Sequence, residues 1–492
     1  MKLSDVAKRL GAAAPEPLGE REPLGYSIDS RTIRAGDVYF AIRGERHDGH
    51  QFVADVLSRG AIAAVVSREF QAAHADRLRR DEAMLIGVDD TLAALQQLAS
   101  SVLGDWRGQE VAVTGSMGKT TTKEMTAATL GAAGRVIKTT GNLNNDYGLP
   151  LSILKMESDG AHATDFDYAV FEMGMNHKGE IARLAEIAPP DCGIVTVVAP
   201  VHLEFFDSVD GIAEAKAELV AGIKTGGLAV LNADDPRVAR MREGRSDIAH
   251  RMFGIESRAD ITARDIESDG LSGTRFRLLT PRGETAVRLA VAGRHNVYNA
   301  LAAAAVADYY NAPLAGIAEA LGQSASPRMR GEVARLTNGV TLVDDSYNSN
   351  PRALIEMVKT VSANREVERR IVVAGEMLEL GESGAALHRE AGRQIAGLGI
   401  DLLIGVRGLA AEIIEGAREA GMAAEATIFC ATPEEAAEVL QRQARGGDLV
   451  LVKGSRGVKT EIVVERMKRW SVASCQSPSA TEVTTHQATD NG

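Results

Sequence analysis

The chain is short of cysteine, of aromatic residues, of positive charge and of long apolar runs, and each shortage excludes something. Its 492 residues include only three cysteines, Cys192, Cys430 and Cys475. Scattered and odd in number, they make neither a disulfide framework nor a zinc site. Aromatics are 4% of the sequence, so the interior must be built from Ala, Val, Leu and Gly, which suits closely packed α/β layers. No run approaches the roughly 18 apolar residues that a membrane span needs. The opening stretch from Met1 to Pro17 is interrupted by Gly11 and Pro15 and lacks the apolar centre of a signal peptide. Lys and Arg number 55 against 67 Asp and Glu, a net charge of −12, which excludes a general nucleic-acid coat. The expectation is a cytoplasmic protein with no membrane span and no nucleic-acid partner. Any polyanion it binds must be held locally, by backbone amides, metal ions and a few cations.

What is present organises the chain. A hydrophobic share of 45% and a charged share of 25% rule out wholesale disorder. At about 150 residues per domain the length implies three domains. Residues 1–88 mix short strands, at 37–42 and 61–66, with polar turns such as Arg43–His50. A helix over 91–103 leads to a boundary at Gly104–Gly108. Strands at 110–114, 168–172, 193–198 and 227–232 then alternate with helices at 119–133 and 210–223, the pattern of a mostly parallel sheet with helices on both faces. Around 251–292 the period shifts toward two, suggesting a short antiparallel patch, and 295–310 is an apolar helix. A third α/β unit opens near Ser326-Pro327, with strands at 340–343, 370–374, 401–406, 427–430 and 448–452. Its spacing is Rossmann-like, although G-x-G-x-x-G is absent at its first strand. Residues 471–492 are rich in Ser, Thr and Gln and are expected to form a disordered tail. The fold class is therefore three α/β domains, 1–88, 89–325 and 326–470, and there is no internal repeat.

The sharpest signal is Thr114-Gly115-Ser116-Met117-Gly118-Lys119-Thr120-Thr121, placed between a strand and a helix. Glycines let successive N–H groups face one phosphate, and the helix N-terminus adds partial positive charge. Lys119 can bridge the β- and γ-phosphates, and the Thr120 hydroxyl can sit on Mg²⁺. The full phosphate-loop pattern wants a further glycine where Val113 stands, so this is the shorter T-G-x-x-G-K-T variant. A nucleotide triphosphate site is the reading that the strand–loop–helix context favours over a plain turn.

Three later residues fall where a nucleotide-bound metal could be held. Glu172 closes the strand 168–172, so its carboxylate emerges at the strand's C-terminal end, the usual ligand edge of a parallel sheet. His202 follows the strand 193–198 at the same edge. Taken singly, Glu172 fits a surface carboxylate and His202 a hydrogen-bonded loop histidine. Lys216 sits with Ile212, Leu219, Val220 and Ile223 in the apolar stripe of its helix, while Glu214 and Glu218 face away. An ammonium there is costly unless paired, deprotonated or modified, and the bland alternative is a lysine snorkelling to the rim.

Together the T-G-x-x-G-K-T loop, Glu172, His202 and Ala215-Lys216 resemble the Mur ligases, ATP-dependent amino-acid ligases of peptidoglycan precursor synthesis, over roughly residues 20–467. The segments 141–150, 171–180, 344–351 and 452–456 are most similar to the branch that joins D-alanyl-D-alanine to a UDP-N-acetylmuramoyl-tripeptide. Met117 and Gly457 depart slightly from the pattern. The resemblance implies a small uridine-nucleotide domain, a central ATP-binding domain and a C-terminal Rossmann-like domain. It implies ATP, two Mg²⁺ ions and a carbamoylated lysine at Lys216, with Thr120, Glu172, His202 and Lys216 as metal ligands. Ser30 and Arg31, with the Asp48–His50 turn, are implied for the uridine diphosphate; read alone, that turn is a polar turn rather than a metal site. Asn142, Asn144 and Asn145 are implied for the muramoyl-peptide, or an Asn-rich turn. Asn296 is implied beside the adenine, which is compatible with an Asn helix cap. Arg330 and Asp345 are implied near the γ-phosphate and ribose, and Asn348, Lys453, Ser455 and Arg456 near the incoming dipeptide. The segments near Gly104 and Ser326 would act as hinges, and a monomer is expected.

Three other readings remain at this level. A sister ligase adding diaminopimelate or lysine usually carries Asp-Asn-Pro-Arg in its C-terminal domain, a string missing here. Folylpolyglutamate synthase shares the central domain without the uridine-binding one. A phosphate-loop NTPase switch is a different class, and it has no use for the Glu172, His202 and Lys216 set.

Overall fold

The computed structural model describes residues 1–12, 18–44, 47–78, 84–364 and 367–476. The chain separates into two compact units, Met1–Ala325 and Ser326–Gly492.

The first unit holds two parallel sheets and one antiparallel sheet. Strands Gly25–Ser27, Asp37–Phe40, Ala63–Ser67 and Met84–Val88 lie side by side in chain order, all parallel. The central sheet has the spatial order Ala249–Phe253, Leu228–Asn232, Cys192–Val195, Gln109–Thr114, Tyr168–Glu172, Val136–Lys138, again all parallel. The inner strands Cys192–Val195 and Leu228–Asn232 are buried at every position, and Gln109–Thr114 at all but its first, because both faces are covered. Val111, Val113 and Val170 pack on one side with the Ala-rich helix Arg294–Tyr309. Ala112, Ala169 and Phe171 pack on the other. That second core also takes in Val38, Phe40 and Val65 of the first sheet and Leu95 and Leu98 of the helix Thr91–Asp105.

Several sequence expectations need correction. Gly104, expected in a hinge, lies inside that helix, and the next aromatic, Trp106, is buried with its indole N–H donated to the Phe166 carbonyl at 2.8 Å. Residues 251–253, expected to open an antiparallel patch, belong instead to the strand Ala249–Phe253, which pairs in parallel with 228–232 as the sheet's edge strand. The antiparallel meander begins only at Thr262, with strands Thr262–Ser268, Thr274–Thr280 and Gly283–Leu289. The edge strand carries His250 and Arg251 because it is only partly covered, so its composition resembles that of the meander.

The second unit is a six-stranded sheet ordered Glu332–Arg335, Thr341–Asp345, Asp448–Lys453, Arg369–Gly375, Leu402–Val406, Thr427–Cys430. The first strand is antiparallel to its neighbour and the rest are parallel. Residues 471–476, assigned from composition to the disordered tail, instead continue the helix Glu461–Gln476. Ser471 is buried and its carbonyl accepts the Thr337 hydroxyl at 2.8 Å, so tertiary contact extends the helix past its apolar stripe. The remaining tail, 477–492, lies outside the described residues, as does the Cys475 side chain.

Candidate active site

The phosphate loop leaves the centre of the sheet, where Gln109–Thr114 is flanked by a strand on each side. Gly115 and Gly118 have φ of 148° and 79°, backbone that side chains rarely adopt. Both are also closely walled: a Cβ on Gly115 would stand 1.9 Å from Thr196 Oγ1, and one on Gly118 2.4 Å from Asn299 Oδ1. The loop is pinned to the segment after the neighbouring strand. Ser116 N donates to Val197 O at 2.8 Å, and the Thr196 hydroxyl donates to Met117 O at 2.6 Å. The helix Lys119–Leu130 starts directly afterwards, so its free N–H groups and positive dipole end face the loop. Lys119 folds back to donate to Gly115 O at 2.9 Å. That leaves a half-buried ammonium over a ring of backbone amides, an arrangement built for phosphate.

Thr120 and Glu172 meet at the strand ends. The Thr120 hydroxyl donates to Glu172 Oε2 at 2.8 Å, and Asn144 Nδ2 donates to Glu172 Oε1 at 2.8 Å. Glu172 is 2% exposed, so it is the buried carboxylate at the sheet's ligand edge and not a surface group. His202 lies in the loop that follows Cys192–Val195, with its backbone in the left-handed region at φ 54°. Lys216 is buried in the helix Val209–Ala221 with Ile212, Leu219 and Val220, and the snorkelling alternative fails because the side chain stays inside. Burial, with the charge of Lys119 added, holds its pKa well below the ordinary lysine range. The Lys216 amine is thus held toward its neutral form.

Hard oxygen donors on Thr120 and Glu172, at hydrogen-bond distance from each other, fit Mg²⁺. That ion takes few protein ligands and keeps the rest of its shell for water and phosphate oxygen. The same chemistry explains why no group of three or more His, Cys, Asp and Glu forms a protein-only metal cage among the described residues.

The three asparagines divide. Asn144 binds Glu172, Asn145 Oδ1 accepts Gly148 N at 3.0 Å at the start of the helix Gly148–Leu154, and Asn142 is exposed. Asn296 does not cap its helix; the cap position is Gly293, and Asn296 Nδ2 reaches back to Ala292 O at 2.7 Å. Its Oδ1 accepts from Asn299 Nδ2 at 3.0 Å, whose own Oδ1 accepts the Thr122 hydroxyl at 3.1 Å. The candidate adenine site is therefore wired to the phosphate-loop helix through Asn299, in the segment 295–299 that the resemblance implied beside the adenine, and Thr122, which sequence reasoning passed over. Next to it, Tyr298 donates to Asp234 at 2.9 Å. Burial works against ionisation of Asp234, yet backbone N–H groups of Glu256, Ile255 and Ser257 hold its pKa down to about 2.

At the first sheet, Arg31 makes a two-pronged pair with Asp29, at 2.9 and 2.7 Å, whose hydrogen bonds lower the Asp29 pKa to about 2. The Ser30 carbonyl accepts Arg59 Nη1 at 2.6 Å. In the Asp48–His50 turn, His50 Nδ1 meets Asp48 at 2.6 Å and its Nε2 accepts Ser67 N at 2.9 Å. Both ring nitrogens are spent on the fold, so the turn is a polar turn and not a metal site.

In the second unit, the parallel register sets Asp345 beside Lys453, and the two form a buried ion pair at 2.6 Å. Lys453 also donates to Asn348 O at 2.9 Å, so its charge is met locally. The Ser455 hydroxyl accepts Leu378 N at 2.9 Å. Arg330 lies 4.1 Å over the Tyr347 ring and Arg456 5.9 Å from it. Two guanidinium groups thus share one aromatic plate, and Arg456 also pairs with Glu461 at 3.1 Å.

Comparison with known proteins matches this geometry. Residues 24–102 match the Mur ligase family catalytic domain, 113–307 the Mur ligase middle domain, and 329–456 the Mur ligase glutamate ligase domain. The UDP-N-acetylmuramoyl-tripeptide–D-alanyl-D-alanine ligase of Bacillus subtilis is 32% identical over 94% of this chain and 97% of its own length. The Escherichia coli enzyme of the same name is 36% identical over 77% of this chain and 80% of its own. Among solved structures, MurF from Acinetobacter baumannii is similar with a TM-score of 0.81 and 31% identity, covering 95% of this chain and 98% of that one. MurF from Thermotoga maritima in complex with ADP gives 0.76 and 29%, covering 92% and 98%. Similar to these relatives from the first sheet to the last, the chain belongs to the Mur ligase family.

Proposed function

We propose that this protein ligates D-alanyl-D-alanine to UDP-N-acetylmuramoyl-tripeptide at the expense of ATP. The observation that carries the reaction class is the set Thr120–Glu172–Asn144, hydrogen-bonded in line beside a phosphate loop. It joins a triphosphate site to a residue of the loop read as the peptide's seat. The acceptor follows the relatives named above, which are 32% and 36% identical to this chain over the aligned residues. A conformational switch needs no such peptide seat, and the Asp-Asn-Pro-Arg string usual in the sister branch is missing from this chain.

A peptide carboxylate does not react with an amine, so it must first be activated. A carboxylate oxygen attacks the γ-phosphorus of ATP, ADP departs, and an acyl phosphate forms. The dipeptide's amine then attacks the acyl carbon, the amine loses a proton and inorganic phosphate leaves. Negative charge accumulates at each stage, and the chain's part is positioning plus electrostatics. Lys119 and the loop amides neutralise the phosphates. Asn144 orients Glu172, and Asn296 and Asn299 set the wall beside the adenine.

The reading assigns two Mg²⁺ ions to Thr120, Glu172, His202 and a carbamoylated Lys216; bound there, the ions supply Lewis-acid neutralisation of phosphate and carboxylate oxygens. A neutral buried amine is the form that takes up CO₂, and the resulting carbamate replaces a cation disfavoured beside Lys119 with an anion. Residues 1–88 are assigned to the uridine diphosphate through Ser30 and Arg31, 89–325 to ATP, and 326–470 to the dipeptide. In that last region Arg330 and Asp345 serve the nucleotide, and Asn348 and Arg456 the dipeptide, while Lys453 holds Asp345. A cytoplasmic monomer is the matching setting. The test is ADP release with UDP-muramoyl-tripeptide fixed and the amine varied. D-alanyl-D-alanine should be the fastest acceptor, and faster turnover with diaminopimelate, lysine or glutamate overturns the assignment.

A further inference from the structure

Lys123 is a buried cation that the reaction chemistry leaves unused. It stands one turn beyond Lys119 in the phosphate-loop helix and is 0% exposed, so it touches no ligand. Its ammonium donates to the backbone carbonyl of Thr139 at 2.7 Å, reaches that of Gly141 at 3.5 Å, and lies 3.2 Å from Glu124 Oε1. Three N–H groups meet three oxygens. An ammonium is costly to bury, and here two of its contacts go to the main chain of a single loop.

That loop, 139–145, leaves the strand Val136–Lys138 and carries Asn142, Asn144 and Asn145. Thr139 is fully buried, and its hydroxyl accepts the N–H of Glu172 at 3.1 Å. Asn144, five residues on, donates to the Glu172 carboxylate. Three contacts therefore run outward from the N-terminal end of one helix: Thr120 to Glu172, Thr122 to Asn299, and Lys123 to the asparagine loop.

We infer that Lys123 is a positioning residue that holds the muramoyl-peptide loop, 139–145, in register with the helix that receives ATP. The inference rests on the ligase reading above, in which that loop seats the peptide. Lys123 thus governs how the peptide's carboxylate is presented to a γ-phosphate held one helical turn away.

The test is Lys123→Met, which keeps the length of the buried stem and removes the donors. Steady-state ADP release is measured with each substrate varied in turn, beside wild type. Absence of muramoyl-peptide-dependent ADP release in wild type refutes the ligase reading itself and so is distinguishable from failure of this inference. In the variant the KM for UDP-muramoyl-tripeptide should rise tenfold or more, with the KM for ATP within twofold of wild type. Equal rises for both substrates, as from a general structural defect, or no rise in the peptide's KM, overturn the inference. Should Lys123→Met fail to fold, Gly141→Ala perturbs the same anchored loop through its backbone alone. Gly141 has φ 60° and nothing lies within 4 Å of an added Cβ. The same peptide-selective rise is expected there, and an unchanged peptide KM overturns the inference.

Discussion

Glu110→Gln should remove a pH dependence from the stability of the central sheet. Glu110 lies in the strand that leads into the phosphate loop, is 1% exposed, and its Oε1 has no hydrogen-bond partner. The nearest cation, Lys224, is already bound to Asp191 at 3.1 and 3.0 Å. Burial pushes the Glu110 pKa up to about 8 from an ordinary 4.5, with Lys224 pulling it down and Asp191 adding to the rise. Between those two values the folded chain keeps a proton that the unfolded chain has lost. Stability from this group is therefore complete below pH 4.5 and drains away as the pH rises through 8. At about 1.4 kcal/mol per pKa unit, the window is worth roughly 3–6 kcal/mol. A neutral amide of the same shape has no such window. The assay is urea unfolding at pH 5, 6, 7 and 8, followed by Trp106 fluorescence in a Trp470→Phe background, which confines the signal to the first unit because the chain has two tryptophans. Wild type should lose stability relative to Glu110→Gln by up to about 1.4 kcal/mol per pH unit, and the variant should be the more stable at pH 8. Parallel profiles for the two proteins would refute the reasoning, because they would mean that Glu110 is ionised in the fold.

Three further outcomes are expected. Lys119→Ala should lower ligation by about 10²-fold or more with the fold retained, since the ammonium is turned onto the phosphate loop, where it donates to Gly115 O; retained ligation in the folded variant would remove the phosphate-loop assignment. Lys216→Ala should be nearly inactive and partly rescued by short carboxylic acids that refill an anionic position, and crystals with both metals bound away from a bare Lys216 amine would contradict the carbamate. Lys453→Met should destabilise the second unit by about 3–5 kcal/mol, because Asp345 would be left buried and charged, and Lys453→Met with Asp345→Asn should recover part of that loss in thermal melts.

Much of the site was legible because its chemistry follows local sequence rules. A strand, a glycine turn and a helix N-terminus are adjacent in the chain, so the phosphate loop declares itself. Lys216 declared itself by standing in an apolar stripe, and the structure keeps it buried there. The short edge strands Gly25–Ser27, Val136–Lys138 and Glu332–Arg335 did not declare themselves, since three or four residues carry too little periodicity and owe their pairing to neighbours. Lys123 is a sharper case. Its helix is Thr-rich, and nothing in a TTTK run tells which polar residue faces inward.

The sequence by itself determined the α/β class, the phosphate loop and the residue types of the site, because those depend on groups a few positions apart. Only the tertiary structure decided the pairings. It set Glu172 between Thr120 and Asn144, Lys453 against Asp345, and Asn299 against Thr122. Each joins residues from different elements, most of them far apart in the chain, and the order of strands in a parallel sheet chooses which ends become neighbours.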